Sequence, residues 1–180
     1  MKNKLPVGLS VAIALVLVAL GLLYGTWMGY SEDRAEVMAL LEKENGLMDV
    51  FSYRAADGLN LCVVARRHLS ADDEALAALD IAARTLRDST SLEERSTADK
   101  ALAAAVSDIS ARLQAVSSFQ TSERDQRYLS MLTADLNNLS SSAAVSTYNE
   151  GAKAFNEKLD APLSGALARL LGVKPCTLYQ

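Results

Sequence analysis

Residues 91–116 read SLEERSTADKALAAAVSDISARLQAV, and this stretch decides the fold. Alanine and leucine, which both favour helix, dominate it. Ser91 followed by Glu94 has the form of a capping box, which marks the first turn of a helix. Apolar residues then recur every three or four positions, as on one face of an α-helix; they are Leu102, Val106, Ile109, Leu113 and Val116. The stretch therefore predicts an amphipathic helix.

The rest of the chain carries few residues that make turns. Its prolines stand at 6, 162 and 175, and residues 59–150 contain no glycine. A fold of many short strands needs a turn every ~8–12 residues, and turns are usually made with Gly and Pro. The sequence thus predicts an all-α protein. Three long helical segments, joined by short turns, form an elongated antiparallel bundle, and a short fourth helix begins at Pro162 and ends before Gly172.

The first long segment carries a seam of small and apolar residues from Ser31 to Leu69, spaced by three and four positions. Such a seam is typical of coiled coils and helical bundles. Glu44 and Gly58 break it. We expect this segment to continue directly from the helix before it, because nothing at 30–34 stops a helix. The second and third segments have polar interruptions, at 88–90 and 140–142.

An uncharged run covers residues 5–31 and follows a short basic tail at 1–4. As a helix the run spans about 40 Å at ~1.5 Å per residue, more than the ~30 Å of a bilayer's hydrocarbon core. We therefore predict a single-pass transmembrane anchor at 5–30. The remainder, 31–180, is predicted to form one helical bundle domain.

The two ends of the run bear on its topology. A cleaved signal peptide usually has a shorter apolar region, of ~7–15 residues, followed by small residues. This run instead ends with Tyr24, Trp27 and Tyr30, which suit a membrane interface. Lys2 and Lys4 precede the run and acidic residues dominate its other flank. The positive-inside rule then predicts a cytoplasmic N-terminus in the cell membrane and an extracytoplasmic bundle.

Gly21, Gly25 and Gly29 lie four residues apart, on one face of the anchor helix. Small residues with this spacing allow two membrane helices to approach closely. One hypothesis is therefore a homo-oligomer formed through this face. The alternative is that glycine is simply common in membrane helices.

Composition limits the chemistry of the chain. It contains a single histidine and two cysteines, and its net charge is −4. These numbers exclude a His-rich or four-thiolate zinc site, and the acidic balance argues against nucleic-acid binding. His68 with Asp72 and Asp73 is the one candidate acid–base or metal cluster, but helix-terminus electrostatics explain the same residues. We predict no catalytic residue, no cofactor and no metal.

Cys62 and Cys176 raise the question of a disulfide. Cys62 falls on the seam of the first segment, and Cys176 follows the short helix that folds back towards the end of that segment. An extracytoplasmic location would allow the two thiols to oxidise. The disulfide is one hypothesis, and the other is a buried core cysteine with an unrelated one in the tail.

Sequence motifs near the C-terminus resemble the LemA family of bacterial membrane-anchored proteins. Tyr148-Asn149 and Phe155-Asn156, followed by Leu159 and by Gly172-Val173-Lys174-Pro175, are similar to the family's spaced aromatic-Asn pairs and its late Gly-aromatic-Lys-Pro ending. Asp57-Gly58-Leu59-Asn60-Leu61 looks like a family motif that has lost its proline, and the order of basic tail, anchor and long helices also matches. The chain therefore resembles a divergent member of the LemA family.

The resemblance implies an antiparallel helical bundle on a membrane anchor and implies no enzyme activity. The spacing of Tyr148, Asn149, Phe155 and Asn156 favours an internal role, because an aromatic seam flanked by asparagines can fix register. Contact with a partner protein is the alternative. We therefore expect a membrane-anchored scaffold or protein-interaction module with an unidentified protein partner. The alternative is an extracytoplasmic helical bundle that senses a ligand.

Overall fold

The computed structural model describes residues 6–140 and 142–179, so the basic tail at 1–4 lies outside the described residues. Within that range the chain forms helices and no strand, and the helices pack together. The prediction of an all-α helical bundle is confirmed. The helices are α1 Val7–Glu42, α2 Leu47–Ala65, α3 Glu74–Asp88, α4 Leu92–Gln114, α5 Ser117–Gln120, α6 Glu123–Ser140, α7 Ala143–Leu159 and α8 Ser164–Leu170.

The chain divides into two compact units. The first contains Met1–Ala39 and Gly151–Cys176, and the second contains Leu40–Glu150 and Thr177–Gln180. The predicted division into an anchor at 5–30 and one bundle domain at 31–180 stays a prediction. Each of the two units combines two segments that are distant from each other in the sequence.

Four helices of the second unit, α2, α3, α4 and α6, form an up-down-up-down bundle. The guanidinium of Arg112, near the end of α4, is 3.2 Å from the carboxylate of Asp73, just before α3, so these helices are antiparallel. The end of α2 likewise pairs with the start of α6, through Arg67 and Asp125. The second predicted segment is therefore a helical hairpin, because the chain reverses at residues 89–91, one residue later than the predicted interruption at 88–90.

The core of this bundle is aliphatic, with Phe51 as a large aromatic member. Its buried side chains come from all four long helices, and they include Leu61 of α2, Leu79 of α3, Leu102 of α4 and Leu132 of α6. Gly58, a break in the predicted seam, lies where α2 packs most closely. A Cβ there would be 2.7 Å from Leu102 Cδ1 and 3.1 Å from Ala83 Cβ. The apparent break is thus a point of close helix approach.

α1 continues through 30–34, as predicted, but ends at Glu42. Asn45 adopts a left-handed conformation with φ 58°, which asparagine tolerates better than most residues. Gly46 follows, where a Cβ would lie 2.6 Å from the Lys43 carbonyl oxygen. The first predicted segment is therefore two helices. Asn45-Gly46 is a recognised turn dipeptide, and this signal marks the boundary in the sequence.

Side-chain caps fix two other boundaries. Ser91 Oγ accepts a hydrogen bond from the Glu94 amide at 3.4 Å, which agrees with the predicted start of α4. Asp73 caps α3, because its carboxylate accepts from the amide of Ala75 at 2.9 Å. Ionised aspartate also interacts favourably with the positive end of the helix dipole.

The short helix α8 begins two residues later than Pro162 and ends as predicted. Gly172 follows it with φ 91°, a conformation that glycine adopts without strain. The amide of Val173 donates to the Ala168 carbonyl at 3.0 Å, which completes a Schellman-type C-cap. Residues 173–179 then run without helix.

Candidate functional site

The N-terminal part of α1 is an apolar helix without a protein environment. None of its most apolar 18-residue window is buried, and Leu15 and Leu22 are 65% and 67% exposed. By length and composition the helix can cross a membrane. The rings of Tyr24 and Trp27, at the end of this part, lie 6.1 Å apart.

The glycine face of α1 is open. Gly21, Gly25 and Gly29 are exposed, and a Cβ built on any of them would meet no heavy atom within 4 Å. The surface needed for a second helix is therefore accessible. Self-association through it stays a prediction.

A cluster around Tyr30 joins α1 to the C-terminal part of the first unit. The Tyr30 hydroxyl is 2.9 Å from Ser164 Oγ and donates to the Lys158 carbonyl at 3.2 Å. Lys158 forms an ion pair with Asp33, and its ammonium lies 5.5 Å from the centre of the Tyr30 ring. The ion pair raises the pKa of Lys158. Tyr30 itself is buried, so side-chain burial in α1 begins at the end of the uncharged run.

In the first unit, Asn156 binds the backbone of the C-terminal segment. Its Nδ2 donates to the Cys176 carbonyl at 2.8 Å, and its Oδ1 accepts from the Cys176 amide at 2.8 Å. One amide side chain thus satisfies both backbone groups of one residue. Phe155, beside it, is buried.

The same geometry recurs in the second unit. Asn149 Nδ2 donates to the Tyr179 carbonyl at 2.8 Å, and Asn149 Oδ1 accepts from the Tyr179 amide at 2.9 Å. The Tyr148 hydroxyl donates to the Thr177 carbonyl at 2.7 Å. The four residues of the family-like motif therefore comprise two buried aromatics and two asparagines that hold the C-terminal segment of the same chain.

Tyr179 leads to a buried polar network in the second unit. Its hydroxyl donates to the carboxylate of Asp99, which also pairs with Arg54. Arg54 is 3% exposed and Asp99 is 4% exposed, and Arg54 donates in addition to the Leu136 carbonyl. Burial, followed by the hydrogen bond to Asp99, raises the pKa of Tyr179 above its ordinary value. Tyr179 is therefore a neutral hydrogen-bond donor that links the C-terminal segment to α2, α4 and α6.

A second polar cluster lies at the other end of α2. His68 Nε2 is 2.9 Å from Asp125 Oδ2, and His68 Nδ1 is 3.0 Å from Ser118 Oγ. Burial opposes ionisation of Asp125, but hydrogen bonds from His68, Ser122 and Arg67 outweigh it and lower its pKa to about 2. An ionised carboxylate thus joins α2, the turn around α5 and α6.

The structure does not bring together the candidate cluster of His68, Asp72 and Asp73. Asp72 accepts from Ser70, and Asp73 caps α3 and pairs with Arg112. These two carboxylates make hydrogen bonds at the start of α3 and in the turn before it. The carboxylate that pairs with His68 is that of Asp125. In the part of the chain that the structure describes, no group of three or more His, Cys, Asp or Glu side chains is arranged to hold a metal ion.

Both cysteines are buried free thiols, so the disulfide considered for them is absent from this structure. Cys62 belongs to the second unit and Cys176 to the first, and both side chains are buried. Burial, followed by the charge of Asp80, raises the pKa of the Cys62 thiol to about 11. Burial likewise raises the pKa of Cys176. Neutral buried thiols are poor nucleophiles.

Sequence patterns did not single out Arg54, Asp99, Tyr179 or Asp125. Two of them carried a signal. Asp99 stands three residues before Leu102, so the α4 seam extended backwards reaches it, and a charge in a seam indicates a buried pair. Ser122 and Asp125 have capping-box spacing. Arg54 and Tyr179 offered no comparable signal.

Comparison with family models, curated proteins and solved structures found no match for the chain.

Proposed function

We propose that this chain is a single-pass membrane protein whose α1 anchors a helical bundle that acts as a scaffold or interaction module without enzymatic activity. The observation that carries the proposal is the full exposure of the apolar part of α1. Apolar surface costs roughly 25 cal/mol per Å² in water. A helix with apolar side chains on every face therefore needs lipid or another apolar environment.

Helix length supports the same proposal. From Val7 to Ser31 α1 is uncharged and continuous, which gives about 37 Å at 1.5 Å per residue. The Tyr24 and Trp27 rings stand near the end of this stretch and suit a membrane interface. We further propose the cell membrane as the location, with the N-terminus cytoplasmic, from the flanking charges. LemA-like ancestry, as a divergent member, is part of the proposal and rests on the sequence motifs.

A scaffold role needs a partner, and crosslinking in native membranes followed by mass spectrometry tests for one. Lys43, Lys100 and Lys153 are exposed and available to an amine-reactive reagent. We expect a protein crosslinked reproducibly through one or more of these lysines. Substituting the reacting lysine with arginine, which keeps the charge, should abolish that crosslink and leave the others.

The competing function makes a different prediction in the same experiment. A ligand-sensing bundle would give no reproducible protein crosslink and would copurify with a small molecule. That outcome would contradict the scaffold proposal.

A further inference from the structure

Two large apolar side chains at the ends of α8 point outward, Leu163 just before the helix and Leu170 at its last residue. Leu163 and Leu170 are 87% and 83% exposed, more than the other large apolar residues of the described chain. They are seven residues apart and therefore share one helix face. The opposite face, with Gly165 and Ala168, is buried.

Close packing fixes this orientation. A Cβ on Gly165 would lie 2.2 Å from the Leu159 carbonyl oxygen, so only a residue without a side chain fits there. Ala168 is fully buried on the same side. The small residues thus bring α8 against the end of α7, and the leucines have no room on that face.

Contacts within the first unit place α8 beside the apolar part of α1. At the end of α7, Lys158 pairs with Asp33, and after the turn Ser164 contacts Tyr30. After α8 the chain returns to α1, because the Arg34 guanidinium donates to the Lys174 carbonyl at 3.0 Å. The reversal that contains α8 therefore lies at the level of Tyr30, where the uncharged run of α1 ends.

We propose that α8 rests on the surface of the bilayer that α1 crosses, with Leu163 and Leu170 in the lipid interface. This inference rests on the proposed membrane anchor. A bilayer around the uncharged run has its surface near Tyr30, the level at which α8 packs. Apolar helix faces bury ~5–10 Å deep at this boundary.

The charges around α8 indicate which lipid headgroup is sufficient for the proposed contact. Lys158 pairs with Asp33, and Arg169 pairs with Asp160. Because Lys158 and Arg169 have carboxylate partners within the chain, Leu163 and Leu170 are the side chains that make the proposed contact. A zwitterionic phosphatidylcholine vesicle is therefore the appropriate probe.

Depth-dependent fluorescence quenching tests the inference on the full chain. The double variant Trp27→Phe with Leu170→Trp leaves one indole, on the exposed face of α8. In vesicles of phosphatidylcholine with brominated acyl chains we expect its fluorescence to fall about twofold or more relative to unbrominated vesicles. Trp27→Phe with Lys153→Trp is the matched control, because position 153 is exposed on α7 at about 7.5 Å along the helix from Lys158, away from the reversal. Its fluorescence should change little.

The wild-type chain separates the two proposals, because its indole reports on α1. If Trp27 is quenched while the indole introduced by Leu170→Trp is not, α8 does not contact lipid and the inference is overturned, whereas the anchor stands. If neither is quenched, the anchor fails and the inference fails with it. Circular dichroism of each variant confirms that the helices are retained.

Discussion

Arg54 and Asp99 form a charged pair inside the helical bundle. Removing one member of a buried pair leaves the other charge without compensation, which typically costs about 3–5 kcal/mol. We therefore expect Asp99→Ala to lower the free energy of unfolding by about that amount. The Leu136 carbonyl and the Tyr179 hydroxyl, which also bind this pair, make the network more sensitive to truncation.

The double variant Arg54→Met with Asp99→Leu separates pairing from packing. Because it removes both charges, we expect a smaller loss than Asp99→Ala alone, measured by denaturant unfolding in detergent. Equal losses in the two variants would show that the pair is not the source of the effect.

Asp125 makes stability depend on acid. Its pKa of about 2 in the folded chain is below the ordinary 3.8, so the folded state favours the ionised form. A depressed carboxyl pKa contributes stability above the ordinary value, and that contribution disappears as pH falls towards the folded value. The difference in unfolding free energy between wild type and Asp125→Asn should therefore be constant near neutral pH and shrink between about pH 4 and pH 2. Glu123→Gln, an exposed carboxylate in the same helical turn, is the control. A difference that does not change over this range would contradict the assignment.

The paired asparagines of α7 act at the scale of an element. Asn149 satisfies both backbone groups of Tyr179, so its truncation exposes two hydrogen-bonding groups to solvent. At about 1 kcal/mol per bond, Asn149→Ala should speed hydrogen exchange at the Tyr179 amide by about 10–30-fold. Asn156→Ala should act on Cys176 in the same way, because its contacts are the same. Exchange measured by NMR tests both, and each variant is the control for the other residue.

Asn149→Asp refines that prediction. Aspartate keeps an acceptor for the Tyr179 amide but loses the donor to its carbonyl. Amide protection should then be closer to wild type than in Asn149→Ala. Equal loss of protection in the two variants would show that the amide bond to Asn149 is not what protects the segment.

The elements themselves were largely predictable from the sequence. The start of α4 followed from Ser91 and the seam after it, and the end of α8 followed from Gly172. The contacts of Asn149 and Asn156 were not predictable, because their partners are backbone atoms that every residue carries. Arg54 and Asp99 are 45 positions apart in the sequence, and their pairing depends on the register between α2 and α4. The outward leucines of α8 depend on the close approach of Gly165 to α7, which local periodicity does not contain.

At the scale of the whole molecule, the open glycine face of α1 predicts self-association in a membrane. Gly25→Ile places a branched side chain at the centre of that face, where the wild-type backbone is accessible. We expect it to reduce association in a membrane two-hybrid assay by about 1 kcal/mol or more, roughly a fivefold change. Leu20→Ile, at an exposed position of the same helix on the side away from the glycine face, is the matched control. Unchanged association in Gly25→Ile would show that the glycines are not an interface.

The central claim is that α1 is retained and anchors the chain in a membrane. Intact-mass spectrometry of membranes washed with alkaline carbonate tests it most directly, because the wash removes peripheral proteins and the mass reveals a cleaved N-terminus. We predict the chain in the washed membrane fraction, with residues 7–30 still attached. Recovery in the supernatant, or a mass that lacks this stretch, would contradict the account.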